Sequence, residues 1–223
     1  MILTWLKKVY RAALNVIYPR HCVVCGRLGA YLYADCLIRL PVKANYWEED
    51  FLTLFDYGQP VAKKLIWLLK YRGVRDLAPL LADLLYEHII EDLAEAELFS
   101  PAAGRILIIP VPLSPKRFRS RGFNQAEEIA KHLAGRDDGL FRLESGNLVK
   151  IRETATQVSA KSRRVRLDNL AGAFSVKNQA RLEGKTIILL DDVATTGTTL
   201  EEAAKALRRG RPRKIYKLVV ARG

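Results

Sequence analysis

The chain is poor in the residues that force an unusual architecture. Of 223 residues only three are cysteine, three histidine and one methionine. An odd cysteine count argues against a disulfide scaffold and for a reducing compartment. No apolar run reaches the roughly 20 residues of a membrane span, and none has signal-peptide form. The first eighteen residues come nearest, but Lys7, Lys8 and Arg11 break them at helical spacing. They predict an amphipathic helix, packed on the body of the protein or on a membrane surface. A cytoplasmic protein without stable membrane insertion is the expectation. There is no G-x-x-x-x-G-K-[ST] loop, no internal repeat and no low-complexity tract. Acidic residues are also scarce, 24 against 37 Lys and Arg, which leaves a formal charge of +13. That excess points to polyanionic partners such as nucleic acid, phosphorylated metabolites or an anionic membrane surface.

What is present suits a globular α/β protein. Hydrophobic residues make up 49% of the chain, enough for a sizeable core. Residues 1–45 hold the N-terminal helix and all three cysteines, and residues 46–223 form the main domain. Trp47 to Tyr57 reads as a strand, and Val61 to Tyr71 and Asp76 to Leu98 as helices. From residue 105 onward strands and helices alternate. Arg105 to Val111, Leu148 to Lys150, Thr186 to Leu190 and Lys214 to Ala221 read as strands; Asn124 to Ala134 and Thr198 to Arg209 read as helices. This alternation implies βαβ units and a doubly wound, mainly parallel sheet covered on both faces.

The most informative stretch is Ile187-Ile-Leu-Leu-Asp191-Asp192-Val-Ala194-Thr195-Thr196-Gly197-Thr198-Thr199. A buried strand delivers two carboxylates to its C-terminal end, where open α/β sheets bind ligands. A five-residue loop of small hydroxylated residues then turns into a helix. Small residues let backbone N–H groups approach an anion, and a helix N-terminus favours negative charge. Ala194, Thr195, Thr196, Gly197, Thr198 and Thr199 therefore form a candidate phosphate cradle. Asp191 and Asp192 would repel a phosphate, so ribose hydroxyls or waters on Mg²⁺ are their natural partners. A phosphate beside a diol describes a phosphoribosyl group.

Two basic segments are expected near the same ligand. Lys116, Arg117, Arg119 and Arg121 follow the strand ending at Val111, on the sheet edge that carries Asp191, and can neutralise a pyrophosphate. Residues 152–170 are charged and poor in core residues; with Arg152, Thr156, Gln157, Lys161 and Arg166 they suit a mobile lid. A third run, Arg208, Arg209, Arg211, Arg213 and Lys214, contains no acidic residue. It suits contact with a single-stranded nucleic acid backbone outside the phosphate site.

The acidic pair and threonine loop resemble the signature of the type I phosphoribosyltransferases, which bind phosphoribosyl pyrophosphate (PRPP). In that family the acidic pair meets the ribose hydroxyls, the following loop holds the 5′-phosphate, and the loop corresponding to 116–121 binds pyrophosphate. Further phrases narrow the resemblance. Tyr18-Pro19, Cys22-x-x-Cys25-Gly26, Leu69-Lys70-Tyr71-x-Gly73, Pro110-Val-Pro112, Arg121-Gly-Phe-Asn-Gln125, Thr156-Gln157, Arg166-x-x-Asn169-x-x-Gly172-Ala-Phe174 and Asp191-Asp-Val-x-Thr-Thr-Gly197 occur in this order. The ordered set is similar to the ComF family, ComFC-like proteins associated with DNA uptake in natural competence. The resemblance implies a type I phosphoribosyltransferase fold with a small cysteine-bearing module, PRPP and Mg²⁺ as ligands, and single-stranded DNA and competence proteins as partners. A nucleotide-salvage transferase with an unknown acceptor is the second reading. A glutamine amidotransferase is not expected, because residues 1–100 are too few for a glutaminase domain.

Such proteins usually carry four cysteines that bind zinc. Here Cys22, Cys25 and Cys36 match three of them, but Tyr33 occupies the place of the other. His21 and Asp35 are poorly suited as a fourth ligand, since each adjoins a cysteine already in the set. Zinc with a weak fourth ligand, a site held by packing alone, and reduced free thiols all stay open.

Overall fold

The computed structural model describes residues 19–42, 47–48, 51–95, 105–136, 139–152 and 171–223. The expected N-terminal helix, and Thr156, Gln157, Lys161 and Arg166 of the expected lid, lie outside the described residues. The chain divides into two compact units between Pro41 and Val42. In the first, a turn carries Cys22 and Cys25 and closes with Gly26 N–H donating to Cys22 O at 3.0 Å. Gly26 takes the left-handed φ of 77° that this turn needs. A one-turn helix, α1 (Ala34–Leu37), supplies the buried Cys36.

The second unit is built on a six-stranded sheet. Its strands are β1 (Trp47–Glu48), β2 (Phe51–Asp56), β3 (Ile106–Pro110), β4 (Phe141–Leu143), β7 (Thr186–Ala194) and β8 (Lys214–Arg222), in the order β1-β2-β8-β7-β3-β4. Only β1 runs antiparallel; the other five strands are parallel. The described helices are α2 (Pro60–Tyr71), α3 (Leu77–Glu95), α4 (Pro115–Arg121), α5 (Gln125–Ala134) and α6 (Thr198–Arg208). A separate ribbon pairs β5 (Leu148–Lys150) with β6 (Phe174–Val176) at the base of the segment expected to form a lid.

Right-handed crossovers decide which face each helix covers. From β3 the chain steps outward to β4, whereas from β7 it steps the other way to β8. The connecting helices, α5 and α6, therefore lie on opposite faces. The connection from β2 to β3 runs in the same sense as that from β3 to β4, so α2 and α3 share the face of α5. On the opposite face Leu200, Ala203, Ala204 and Leu207 of α6 pack on Ile187, Leu189, Leu107 and Ile109. The two crossovers diverge at the carboxyl ends of β3 and β7, which creates a crevice suited to ligands.

Two boundaries differ from the sequence expectation. Strand β7 does not stop at Leu190 but runs on to Ala194, because Val193 and Ala194 continue to pair with Ala221 and Arg222 of β8. The acidic pair therefore sits inside a strand, and the loop shrinks to residues 195–197. Residues 115–121, expected as a basic loop, form helix α4; Ser114 accepts from Arg117 N–H as its N-cap, and Pro115 opens it. Leu189, fully buried at the centre of the sheet, tests this packing. Leu189→Ala is expected to lower unfolding stability by about 2–5 kcal/mol in urea titrations.

Candidate functional site

Neighbouring residues of a strand point to opposite faces, so the extension of β7 splits the acidic pair. Asp191 faces α6. It lines a small cavity with Val193, Ala194, Thr195, Gly197 and Thr198. Asp192 turns to the face of α2, is buried, and pairs with Lys70 Nζ at 2.8 Å. The sequence expectation directed both carboxylates at one diol; in the structure only Asp191 lines the loop cavity.

Burial pushes the Asp191 carboxyl up to about 7, and the adjacent Asp192 charge adds to the rise. Lys70, the Asp192 N–H and Lys150 act in the opposite direction. The Asp192 N–H donates to Asp191 Oδ1 at 2.8 Å. A carboxyl titrating near neutrality lies poised for a cation or a hydrogen-bond donor that would favour its ionised form.

The loop after β7 fits an anion. Gly197 caps α6 with φ 71°, in the left-handed region, and no side chain caps the helix. The first N–H groups of α6 are thus left without a capping side chain. The Thr196 and Thr198 hydroxyls lie 2.8 Å apart at the same turn. Among the predicted cradle residues, Ala194, Thr195, Gly197, Thr198 and Thr199 all line the cavity.

The basic helix α4 follows β3 at the same sheet edge. With 100° between residues, its cations diverge: Arg117 and Arg121 share one side, and Lys116 and Arg119 another. Arg121 donates to Gln125 Oε1 at 3.0 Å, and its guanidinium lies 5.6 Å from the centre of the Tyr71 ring. Gln125 is fully buried, and its Nε2 has no partner among the described residues. Asn124, the N-cap of α5, accepts from Ala126 N–H and donates to Val111 O. Arg152 is exposed at the end of the β5–β6 ribbon. The ribbon base is tied to α6 through Gly172 N–H, which donates to the buried Glu202 at 3.3 Å.

Arg208, Arg209, Arg211, Arg213 and Lys214 are all exposed. They lie at the C-terminal end of α6 and the start of β8. The eleven-residue helix α6 runs from the cradle to the strip, a length of about 16 Å along its axis. The strip belongs to the opposite edge of the sheet.

In the cysteine unit the three sulfurs lie within 4.8 Å of one another, a spacing compatible with thiolates around one Zn²⁺. Burial raises the Cys22 thiol, but N–H donors from Cys25, Val24 and Tyr33 outweigh it and bring Cys22 to about 6. Burial holds Cys36 above the ordinary thiol range, with hydrogen bonding to Cys25 and Cys22 acting the same way. Among the described residues neither His21 nor Asp35 joins the cluster. His21 Nδ1 lies 3.2 Å from Gly26 O, and Asp35 is paired with Arg27, which also donates to Cys25 Sγ at 3.2 Å. The Tyr33 hydroxyl donates to Leu28 O. The residues present fit three ligands of a four-coordinate site.

Lys70 is the residue that sequence reasoning left without a role. It borders the apolar stripe Ala62, Leu65, Ile66 and Leu69 of α2, a helix that also carries Lys63 and Lys64, and its partner lies 122 positions away. Removing it strands a buried carboxylate. Lys70→Met is expected to cost about 3–5 kcal/mol in urea denaturation, and adding Asp192→Asn is expected to restore most of that loss. In the cysteine unit, the Tyr33 backbone adjoins the Cys22 sulfur, so Tyr33→Cys is expected to raise zinc affinity at least about tenfold in chelator competition.

A phosphoribosyl transferase domain matches residues 119–223. The DNA utilization protein YhgH of Escherichia coli O6:H1 is 31% identical over 188 residues, 84% of this chain and 78% of that protein. Competence protein F of Haemophilus influenzae is 34% identical over 195 residues, covering 83% of this chain and 78% of its own length. Competence protein ComFC of Bacillus subtilis is 32% identical over 206 residues, covering 88% and 75% respectively. With a parallel sheet, a threonine loop opening onto Asp191 and a cysteine triad ahead of them, the chain belongs to the ComF family of proteins built on a phosphoribosyltransferase domain.

Proposed function

We propose that this ComF protein binds PRPP with Mg²⁺ at the crevice beyond β3 and β7, and that it handles single-stranded DNA in the cytoplasm during natural competence. The observation that carries the reading is the half-open Asp191 carboxyl beside a helix start capped by glycine alone. In this reading the residues 194–199 hold the 5′-phosphate through backbone N–H groups and threonine hydroxyls. Asp191 meets the ribose hydroxyls or the water shell of Mg²⁺, whose oxygen preference suits a carboxylate. Asp192, paired with Lys70, acts as the positioning charge behind it.

Arg117 and Arg121, on one side of α4, suit the pyrophosphate, with Lys116 and Arg119 adding to the local field. The buried Gln125 amide, without a partner among the described residues, supports a polar ligand beside them. Mg²⁺, when bound, supplies neutralisation of the pyrophosphate charge. Arg152, Thr156, Gln157, Lys161 and Arg166 serve as the lid over the ligand. Zn²⁺ on Cys22, Cys25 and Cys36 is a structural part of the same proposal. The DNA component draws on the names of the relatives, on the +13 charge and on the exposed strip from Arg208 to Lys214. No helix among the described residues is long and apolar enough to cross a membrane.

Calorimetric titration with PRPP and Mg²⁺ tests the site. Asp191→Ala combined with Asp192→Ala is expected to abolish binding, and unchanged affinity refutes the assignment. The sign of the pH dependence follows from Asp191: its ionised form is the binding form, and it titrates near 7 in the free protein. Affinity is therefore expected to fall about tenfold from pH 8 to pH 6. Pyrophosphate release across a panel of bases and amines then decides whether binding leads to transfer.

A further inference from the structure

Helix α2 presents a groove of which the sugar-phosphate site uses Lys70 alone and the basic strip nothing. On its solvent side an open groove of about 490 Å³ is lined by Tyr57, Lys63, Lys64, Trp67, Lys70 and Tyr71, among others. Trp67 is 49% exposed and Tyr71 66% exposed. Large aromatics so open to water, four residues apart, are not explained by core packing. Their ring centres lie 6.5 Å apart with planes tilted by 41°. Lys63 Nζ stands 6.0 Å from the Tyr57 ring centre, and Arg121 approaches Tyr71 from α4. None of the described groove-lining residues is acidic. The nearest carboxylate in sequence, Asp56, accepts from Gly58 N–H at 2.6 Å. Lys70 of this lining also holds Asp192, so the groove shares one residue with the candidate PRPP site.

We propose that this groove is the surface on which unpaired bases of single-stranded DNA stack, with Trp67 and Tyr71 as the platform and Lys63 and Lys64 as the phosphate contacts. The inference rests on the DNA-handling reading above and assigns it to a face not foreseen from sequence. Charge complementarity selects the occupant. A polyanion with exposed base faces satisfies both the lysines and the aromatics, because each base offers a π surface and each nucleotide a phosphate. Duplex DNA satisfies the lysines alone, since its bases are already stacked. The strip from Arg208 to Lys214, by contrast, offers cations whose aromatic neighbour among the described residues, Tyr216, is buried.

The test is fluorescence anisotropy with a labelled oligo-dT of roughly 20 nucleotides, run against a duplex of equal length. The parent chain is expected to prefer the single strand. Trp67→Ala is expected to weaken binding roughly tenfold, whereas Trp67→Phe, which keeps a stacking face, retains it. Lys63→Glu with Lys64→Glu is expected to weaken binding further and to reduce the slope of log affinity against log salt by about 1.4. Trp67 and both lysines lie outside the proposed PRPP contacts, so PRPP titration of each variant reports whether the site remains folded. If the parent binds no single strand at low salt, the DNA reading itself fails. If the parent binds but the Trp67 and lysine variants match it, while charge reversal at Arg211, Arg213 and Lys214 abolishes binding, the groove assignment is overturned and the DNA reading stands. Equal affinity for duplex and single strand also overturns it.

Discussion

Two carboxylates side by side on a buried parallel strand repel each other, and the strand geometry determines how the fold tolerates them. Because β7 continues to pair with β8 through Ala194, its alternation sends Asp191 and Asp192 to opposite faces. The right-handed crossovers place α6 over one face and α2 over the other. Asp192 thereby meets a lysine on α2, and Asp191 meets the open turn at the start of α6. One charge is neutralised inside the protein. The other is left half-satisfied at the surface of a crevice, where a ligand can complete it.

That division has an electrostatic consequence. A buried ion pair contributes little net stability, since desolvation offsets its attraction. The Lys70–Asp192 pair is better understood as fixing a charge at a defined place. From there Asp192 raises the Asp191 carboxyl while Lys70 limits the rise. A carboxyl held near neutrality costs the free protein stability that a bound cation or hydroxyl can recover, which is a common signature of a binding site. The same crevice collects the basic helix α4 because β3 and β7 are neighbours with diverging connections. Topology thus brings residues about 70 positions apart in sequence to the same edge of the sheet.

Much of this was legible in the sequence, where local signals agree with the fold. The apolar runs of β3 and β7, the helices opened by Asn124 and Gly197, and the threonine loop all follow from local chemistry. Strands β4 and β6, three residues each, are defined by pairing with β3 and β5, which lie far from them in sequence. The true end of β7 depends on its pairing with β8, a non-local fact. The helical state of residues 115–121 did have a signal, Ser114 as cap followed by Pro115, which the density of positive charge obscured. The Lys70–Asp192 pair and the aromatic groove on α2 had none: each depends on surfaces and partners brought together only by folding. In the cysteine unit the three-ligand pattern was visible, and the structure adds that His21 and Asp35 have other partners.

The central claim is that Asp191 is held partly protonated until a sugar-phosphate arrives at the turn beside it. A carbon-13 NMR titration of the Asp191 carboxyl, with and without PRPP and Mg²⁺, measures this directly. The account predicts a midpoint near 7 in the free protein and a fall toward the ordinary carboxylate range once the ligand is bound. A midpoint already in that range without ligand, or one that stays near 7 at saturating PRPP and Mg²⁺, contradicts it.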